Sequence, residues 1–536
     1  MASGTMQHGL PPLISALTGT APWSHPVGDI EIVQTHISWV LLTGDYAYKL
    51  KRALDLGFLD FSTLEKRRDA CFEEVRLNRR TASGLYCDVV AICGTAEKPR
   101  VVAIDEAGDD ILEYAVRMKQ FPQQDRLDIA IADDRLELRD MDRLATHVAG
   151  FHESIPRAHP DDPWNGVDWI ARLCRDNFET LTPLVDDARE TDTLEHLRGW
   201  TDEQLDFLAP TIERRHRDGH VRECHGDLHL SNLVWLGDSF AAFDCIEFDP
   251  ALRWMDVASE IGFLVMDLAT RQRTDLAWRF LNRYLEITGD YDATRTLRLY
   301  IVYASMVRAK IAGLRAEEEA DGKARYMQQA RSYRSHLGLA ERATRPRRPL
   351  LLLTHGLSAS GKTWLSSQLA CVLPAVRVVS DIERKRLHGL AASERTDSGL
   401  DEGIYDEQSS AATADRLAEC ATSILTGEFD CIVDATFLDH DKRQRFIRLG
   451  RELGAEPLIL DCVARESTLR ERITQRAWDG ADPSEADWSV LQKQIASAEP
   501  LTAEERRCAL TVDDSEPIDV LRTAGAIWQK LGRTTD

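Results

Sequence analysis

Two short stretches carry residue types at spacings that suit phosphate chemistry. The first is Gly356-Leu357-Ser358-Ala359-Ser360-Gly361-Lys362-Thr363, which satisfies GxxxxGK[ST] at every fixed position. It follows an apolar run, Leu350 to Thr354, and precedes an amphipathic segment from about Trp364. That is the strand–loop–helix setting the motif needs. Glycines let backbone N–H groups curl round phosphate oxygens, and a helix N-terminus adds positive potential. Gly356, Ser358, Ala359, Ser360 and Gly361 are expected to form the cradle, Lys362 to reach the β- and γ-phosphates, and the Thr363 hydroxyl to bind Mg²⁺. The second stretch is Cys224-His225-Gly226-Asp227-Leu228-His229-Leu230-Ser231-Asn232, followed by Asp244 after an apolar run. In HxDxxxxN with a second Asp, Asp227 would orient and deprotonate an acceptor hydroxyl. Asn232 and Asp244 would hold the Mg²⁺ ions that bridge the ATP phosphates.

A phosphate-binding loop identifies the donor, ATP or alternatively GTP, and leaves the acceptor open. Asp381, at the end of the next strand, falls at the sheet edge where such folds bind ligands, and could take a proton from an attacking hydroxyl. Its plainer alternative is a helix cap. Cys431 to Thr436 is an apolar strand ending near Asp434, placed to hold Mg²⁺ directly or through water. Arg472 and Arg476 share one helical face at i, i+4 and could cover a transferring phosphoryl group. The alternative for them is a solvated helix face.

These residues need elements to hold them. The 536-residue chain is too long for one core and implies two or three domains. Residues 1–30 read as an extension. Two β-rich runs flank the turn signal Thr43-Gly44-Asp45, and Ser62-Thr63-Leu64-Glu65 opens a helix to about Arg80 as a capping box. From about 125 to 340 the chain reads as helical, interrupted by a β-rich island from Val221 to Phe248. The Pro- and Arg-rich stretch 341–349 reads as a linker. From 350 onward, strands and helices alternate, which implies a parallel sheet. The expected architecture is therefore a bilobal α+β domain over 31–340, with a β-rich lobe to about 120 and a helical lobe after it. An α/β domain follows over 350–536.

Composition narrows the classes. A net charge of -23, shared by both halves, disfavours broad nucleic-acid binding. Eleven cysteines without CxxC pairs argue against a disulfide framework or a zinc site. No secretory signal is read at the N-terminus, and the apolar runs, such as Ile261 to Met266, are too short to span a bilayer. A cytoplasmic protein without membrane partners is expected.

The order GLSASGKT, SDIERKR, IVDATF, LRERITQR resembles the P-loop kinases of the polynucleotide-kinase, gluconate-kinase and zeta-toxin-like group over about 350–500. In phage-type polynucleotide kinases an Asp is the base with an Arg three residues on. The resemblance implies those roles for Asp381 and Arg384. HGDLHLSN, with Trp254-Met255-Asp256-Val257-Ala258, resembles the aminoglycoside and choline phosphotransferase family over about 30–335. It implies a kinase-like fold and a bracing role for Asp256. It also makes Tyr46-Ala47-Tyr48-Lys49-Leu50-Lys51 the strand bearing the ATP-binding lysine. Lys49 and Lys51 share a face; Lys49 is the choice, with Glu74 as partner and Glu73 as rival. No GxGxxG loop is present, and Thr35-His36-Ile37-Ser38 would take its place. YKLK, GFLDFST and RLNRR further resemble a bacterial group of phosphotransferase-like proteins fused to an ATP-binding domain.

The expectation is a bifunctional ATP-dependent phosphotransferase acting on hydroxyl acceptors, either small molecules or nucleic-acid 5′ ends. The alternatives are an ATP-driven switch and a toxin-like protein with one catalytic domain. Acidic residues such as Asp161, Asp162, Asp168, Asp186, Asp187 and Glu190 would suit a cationic acceptor if they lined a site, although a solvated surface is the plainer reading for most of them.

Overall fold

The computed structural model describes residues 10–57, 59–162, 164, 166–185, 187–318, 323–392, 394, 404, 406–479, 488–514 and 517–533. Packing divides the chain into two compact units. One comprises residues up to Leu136 with Phe151–Asn165 and Gly219–Glu260; the other comprises Glu137–Gly150, Gly166–Asp218 and Ile261–Asp536. No helix among the described residues is long and apolar enough to cross a membrane.

The first unit is built on a six-stranded antiparallel sheet. Its strands are β1 (Glu31–Gln34), β2 (Ser38–Leu42), β3 (Tyr46–Lys51), β4 (Tyr86–Thr95), β5 (Lys98–Ala103) and β6 (Ile111–Lys119), in the order β1-β2-β3-β6-β4-β5. The turn at Thr43-Gly44-Asp45 joins β2 to β3, with Thr43 N donating to Tyr46 O at 2.9 Å. Alternation along β3 sends Tyr48 and Leu50 into a core with Ile14, Leu17 and Trp23. Lys49 and Lys51 emerge on the other face, where the helix Leu64–Ala82 packs. That helix starts one residue later than the capping box implies: Thr63, not Ser62, accepts from the third residue, Lys66 N. Four short strands complete the unit. β7 (Val221–Glu223) pairs with β10 (Trp254–Asp256), and β8 (Leu233–Leu236) forms a hairpin with β9 (Ser239–Ala242).

In the second unit, β11 (Leu350–His355), β12 (Ala375–Val379), β13 (Asp430–Asp434), β14 (Glu456–Val463) and β15 (Ala509–Asp513) form the expected parallel sheet, in the order β12-β13-β11-β14-β15. The strands are apolar because helices cover both faces. Leu350, Leu352, Ile432 and Leu460 pack with Leu365 and Leu369 of the helix Lys362–Val372, and with Ile527 of Val520–Lys530. The edge strand β12 is covered by the helix Thr274–Thr288. Asn282 Nδ2 donates to Ala375 O at 2.9 Å, and its Oδ1 accepts from Arg377 N at 2.7 Å. One side-chain amide thus satisfies a donor and an acceptor that an edge strand leaves open.

Candidate functional site

In the first unit the loop between β7 and β8 carries Asp227 and Asn232. Gly226 stands at φ +87°, and a Cβ there would meet Leu252 O at 3.1 Å and Ile246 Cδ1 at 3.2 Å. This is the reason for Gly at that position. The Asp227 side chain is 35% exposed, enough to meet a substrate. Asn232 Nδ2 donates to Asp227 O at 3.0 Å and to Asp227 Oδ2 at 3.2 Å, closing the loop on itself. His225 is buried, with Nε2 3.0 Å from Phe243 O, and burial pushes its pKa down. Asp244 follows β9 in the left-handed region at φ +65°, and its N donates to Tyr86 Oη at 3.1 Å.

Lys49 reaches this loop from β3. Its ammonium donates to Glu74 Oε1 at 2.8 Å and to Asp244 Oδ1. Burial opposes its charge, but the carboxylates of Asp244, Glu74 and Glu247 win and raise its pKa well above the usual lysine value. Glu73, the rival partner, faces elsewhere, to Arg76 at 2.7 Å and Arg253 at 2.7 Å. Lys51 is buried as well, and bridges the other oxygen of Glu74 to Glu247. Burial pushes the Glu247 carboxyl above its ordinary value. Glu247 escapes sequence reasoning; its signals are its place three residues after Asp244 and the second lysine of YKLK. Thr35 to Ser38 forms the turn between β1 and β2, closed by Thr35 N donating to Ser38 O at 2.9 Å.

A second element braces the loop. Glu260 Oε1 accepts from Gly226 N at 2.7 Å, and Glu260 Oε2 lies 2.8 Å from His152 Nε2. All three groups are buried, with Cys224 beside them. Asp256, expected to brace the loop, has Oδ1 accepting from Ala258 N at 2.8 Å, at the start of its own helix. Of the acidic residues considered for a cationic acceptor, Asp187 caps the helix Ala188–Arg217 and Asp162 accepts from His159 N at 2.7 Å. Asp186 lies outside the described residues.

In the second unit the segment from Gly356 to Thr363 turns sharply between β11 and the helix Lys362–Val372. Gly356 stands at φ +134°, where a Cβ would lie 2.4 Å from Cys462 O. Ala359 and Gly361 also have positive φ, at 66° and 91°. Lys362 Nζ donates to Leu357 O at 2.6 Å, across the loop, and Ser358 N donates to Gln494 Oε1 at 2.8 Å. Arg472 Nη1 donates to Ala359 O at 3.2 Å and Nη2 lies 3.1 Å from Asp514 Oδ2, so Arg472 grips the loop backbone. The Arg476 side chain lies outside the described residues.

Asp434 ends β13 beside this loop and is buried. Its Oδ2 accepts from Ser366 Oγ at 2.9 Å and from Arg377 Nη2 at 3.2 Å; Thr354 Oγ1 lies 3.4 Å from Oδ1. A buried carboxylate with hydroxyls around it is a donor set that fits a hard cation such as Mg²⁺. Thr363, at the second position of the helix Lys362–Val372, adds another hydroxyl. Asp381 sits in the first turn of the helix Ser380–Leu387, whose N-cap is Val379 and has no side-chain cap. Asp381 is thus not the helix cap.

Ser380 and Arg384, on either side of Asp381 in the chain, line a cavity of about 340 Å³ together with Ser410, Phe437, Asp439, Lys442 and Glu499 among others; Asp381 itself is not among the lining residues. Arg384 Nη1 donates to Ile404 O at 3.1 Å and to Ser410 Oγ at 3.4 Å. The cavity adjoins the phosphate loop, since Gly356 N donates to Thr436 O at 3.1 Å. Phe437 holds φ +44°, unusual for a bulky residue; Arg443 Nη1 donating to its carbonyl at 3.0 Å and an edge-on Phe446 ring hold it there.

Residues 351–501 match the family described as AAA domain. An uncharacterized protein of Mycobacterium tuberculosis is 27% identical over 480 residues, 87% of this chain and 93% of its own length. A choline/ethanolamine kinase family protein from Mesorhizobium loti is similar at 11% identity, covering 59% of this chain and 93% of its own, with a TM-score of 0.34. A gluconokinase from Sinorhizobium meliloti 1021 is similar at 21% identity, covering 35% and 94%, with a TM-score of 0.24. From its own topology and loops, the chain joins a kinase-like fold to a nucleotide-binding P-loop fold.

Proposed function

We propose that the protein is an ATP-dependent phosphotransferase with two sites, each moving the γ-phosphoryl group to a hydroxyl. The observation that carries this reading is the meeting of Lys49 with both Glu74 and Asp244 beside the Asp227–Asn232 loop. Those residues come from three separated parts of the chain: β3, the helix Leu64–Ala82 and the island around Asp227 to Asp244. At this site Asp227 accepts the acceptor's proton while its oxygen bonds phosphorus and the bond to the ADP oxygen breaks. Asn232 and Asp244 would hold Mg²⁺, which neutralises developing charge when bound. In the P-loop site Asp381 is the corresponding base, Lys362 and Arg472 attend the phosphates, and Asp434 and Thr363 are the metal-holding groups.

The cavity lined by Ser380 and Arg384 supports a small hydroxylated acceptor for the P-loop site. At about 340 Å³ it matches the lower end of small-molecule sites. The charged lining of the cavity is balanced, Arg384 and Lys442 against Asp439 and Glu499, and so favours neither sign of acceptor, whereas the net charge of -23 disfavours a long polyanion. A nucleic-acid 5′ end is the competing acceptor. The test is transfer from γ-labelled ATP with Mg²⁺ to pools of small molecules, aminoglycosides and 5′-hydroxyl oligonucleotides. Asp227→Asn should remove one activity, and Asp381→Asn or Lys362→Ala a different one. Phosphate release without transfer to any pool would overturn the reading. It would favour an ATP-driven switch, for which the clasp of Asn282 on the P-loop sheet is the supporting observation.

A further inference from the structure

Arg377 is a charged residue that neither proposed reaction uses, yet it is 7% exposed at the heart of the P-loop unit. It lies in β12 with its guanidinium between two acids. Nε and Nη2 donate to Asp434 Oδ2 at 3.3 and 3.2 Å, and Nη1 donates to Glu286 Oε1 at 3.0 Å. Glu286 belongs to the helix Thr274–Thr288, the same helix whose Asn282 holds Arg377 N at 2.7 Å. Main chain and side chain of Arg377 are therefore both fixed from one helix outside the sheet.

We propose that Arg377 sets the metal affinity of the P-loop site and that Glu286 tunes it. This rests on the reading of Asp434 as a metal anchor and goes beyond it. A guanidinium against Asp434 competes with a divalent cation for the same negative potential, and burial makes that competition strong. Glu286 neutralises the guanidinium on its far side and so returns negative potential to Asp434. Ser366, on the helix that follows the phosphate loop, completes the set by donating to the same oxygen. A displacement of the Thr274–Thr288 helix changes the distance from Glu286 to Arg377, and with it the metal affinity. Arg377 is thus a positioning residue through which a helix outside the nucleotide site governs it.

The test uses the full chain in an Asp244→Asn background, which removes the metal anchor of the other site. Binding of a fluorescent ATP analogue is followed as Mg²⁺ is raised, with melting curves to verify folding. Glu286→Gln should raise the Mg²⁺ concentration for half-maximal effect by about 3- to 10-fold. Arg377→Gln should lower it by a similar factor, and Arg377→Lys should stay near the parent. Nucleotide affinity without Mg²⁺ should not change in Glu286→Gln. If Asp434→Asn flattens the Mg²⁺ response while folded Glu286→Gln leaves it unmoved, this inference is wrong and the proposed function stands. If Asp434→Asn leaves the response intact, Asp434 is not the metal anchor and the inference falls with that reading.

Discussion

Glu260 shows what a single buried carboxylate does for a loop residue 34 positions before it in the chain. One oxygen takes the N–H of Gly226, next to the proposed base Asp227, and the other meets His152. Burial opposes its charge, but the hydrogen bond and charge of His152 win and lower its pKa. Glu260→Ala should leave Gly226 N unsatisfied and let Asp227 drift. We expect turnover at the first site to fall about 10- to 100-fold with a much smaller change in KM. Glu260→Gln keeps an acceptor for Gly226 N and should recover most of the rate. Equal losses in the two variants would show that the carboxylate does more than position the loop. Of the residues of this site named from the sequence, Asp227, Asn232 and Asp244 lie within one short island, and Lys49 and Glu74 came from the resemblance of the YKLK strand and the helix after it. Glu260 and His152 were not legible there, because their partners are fixed by packing and no short spacing signals them; Glu247 was missed although it stands three residues after Asp244.

At the scale of elements, continuous apolar runs alternating with helical segments, together with the phosphate loop, made the parallel sheet readable. The capping of the helix Ala503–Arg507 was not singled out, although Thr502 and Glu505 form a reciprocal box. Glu505 also holds Arg443 at 2.9 Å, with both side chains buried. Burial raises the carboxyl pKa, but Arg443, Thr502 N and Gln444 outweigh it and bring it down to about 2. A folded pKa below the unfolded value of 4.5 stabilises the fold fully above that value. This contribution is lost as pH falls from 4.5 toward 2. Thermal melts between pH 6 and pH 2 should therefore show a loss at the acid end that Glu505→Gln makes shallower. Arg443→Ala, which strands a buried carboxylate, should cost roughly 3–5 kcal/mol. It should also loosen the Phe437 turn that lines the acceptor cavity, since Arg443 donates to Phe437 O. An acid-end slope identical in Glu505→Gln and wild type would remove Glu505 from the account.

The whole chain poses the question of how much of it the P-loop fold requires. The Pro- and Arg-rich stretch 341–349 suggests a joint between separable halves, and composition carries no signal against that. Packing supplies one. Asn282 fills the open donor and acceptor of β12, Tyr291 Oη donates to Arg377 O at 3.4 Å, and Gly427 lies so close to Thr294 that a Cβ would stand 2.3 Å from its carbonyl oxygen. These contacts come from the chain before the linker; Asn282 and Tyr291 cover the side of β12 that β13 does not pair, and Thr294 packs at the turn leading into β13. A fragment starting at Arg345 should expose that edge, which invites strand pairing between molecules. It should also leave Arg377 without Glu286 and Arg416 without the carbonyl of Gly289. We expect the fragment to melt at lower temperature than the full chain and to self-associate in size-exclusion chromatography. Asn282→Ala in the full chain should reproduce part of the loss, about 1–3 kcal/mol for two unsatisfied backbone groups. A monomeric fragment with the full chain's melting temperature would mean that the β12 edge tolerates water, and that the helices lie against the P-loop sheet without supporting it.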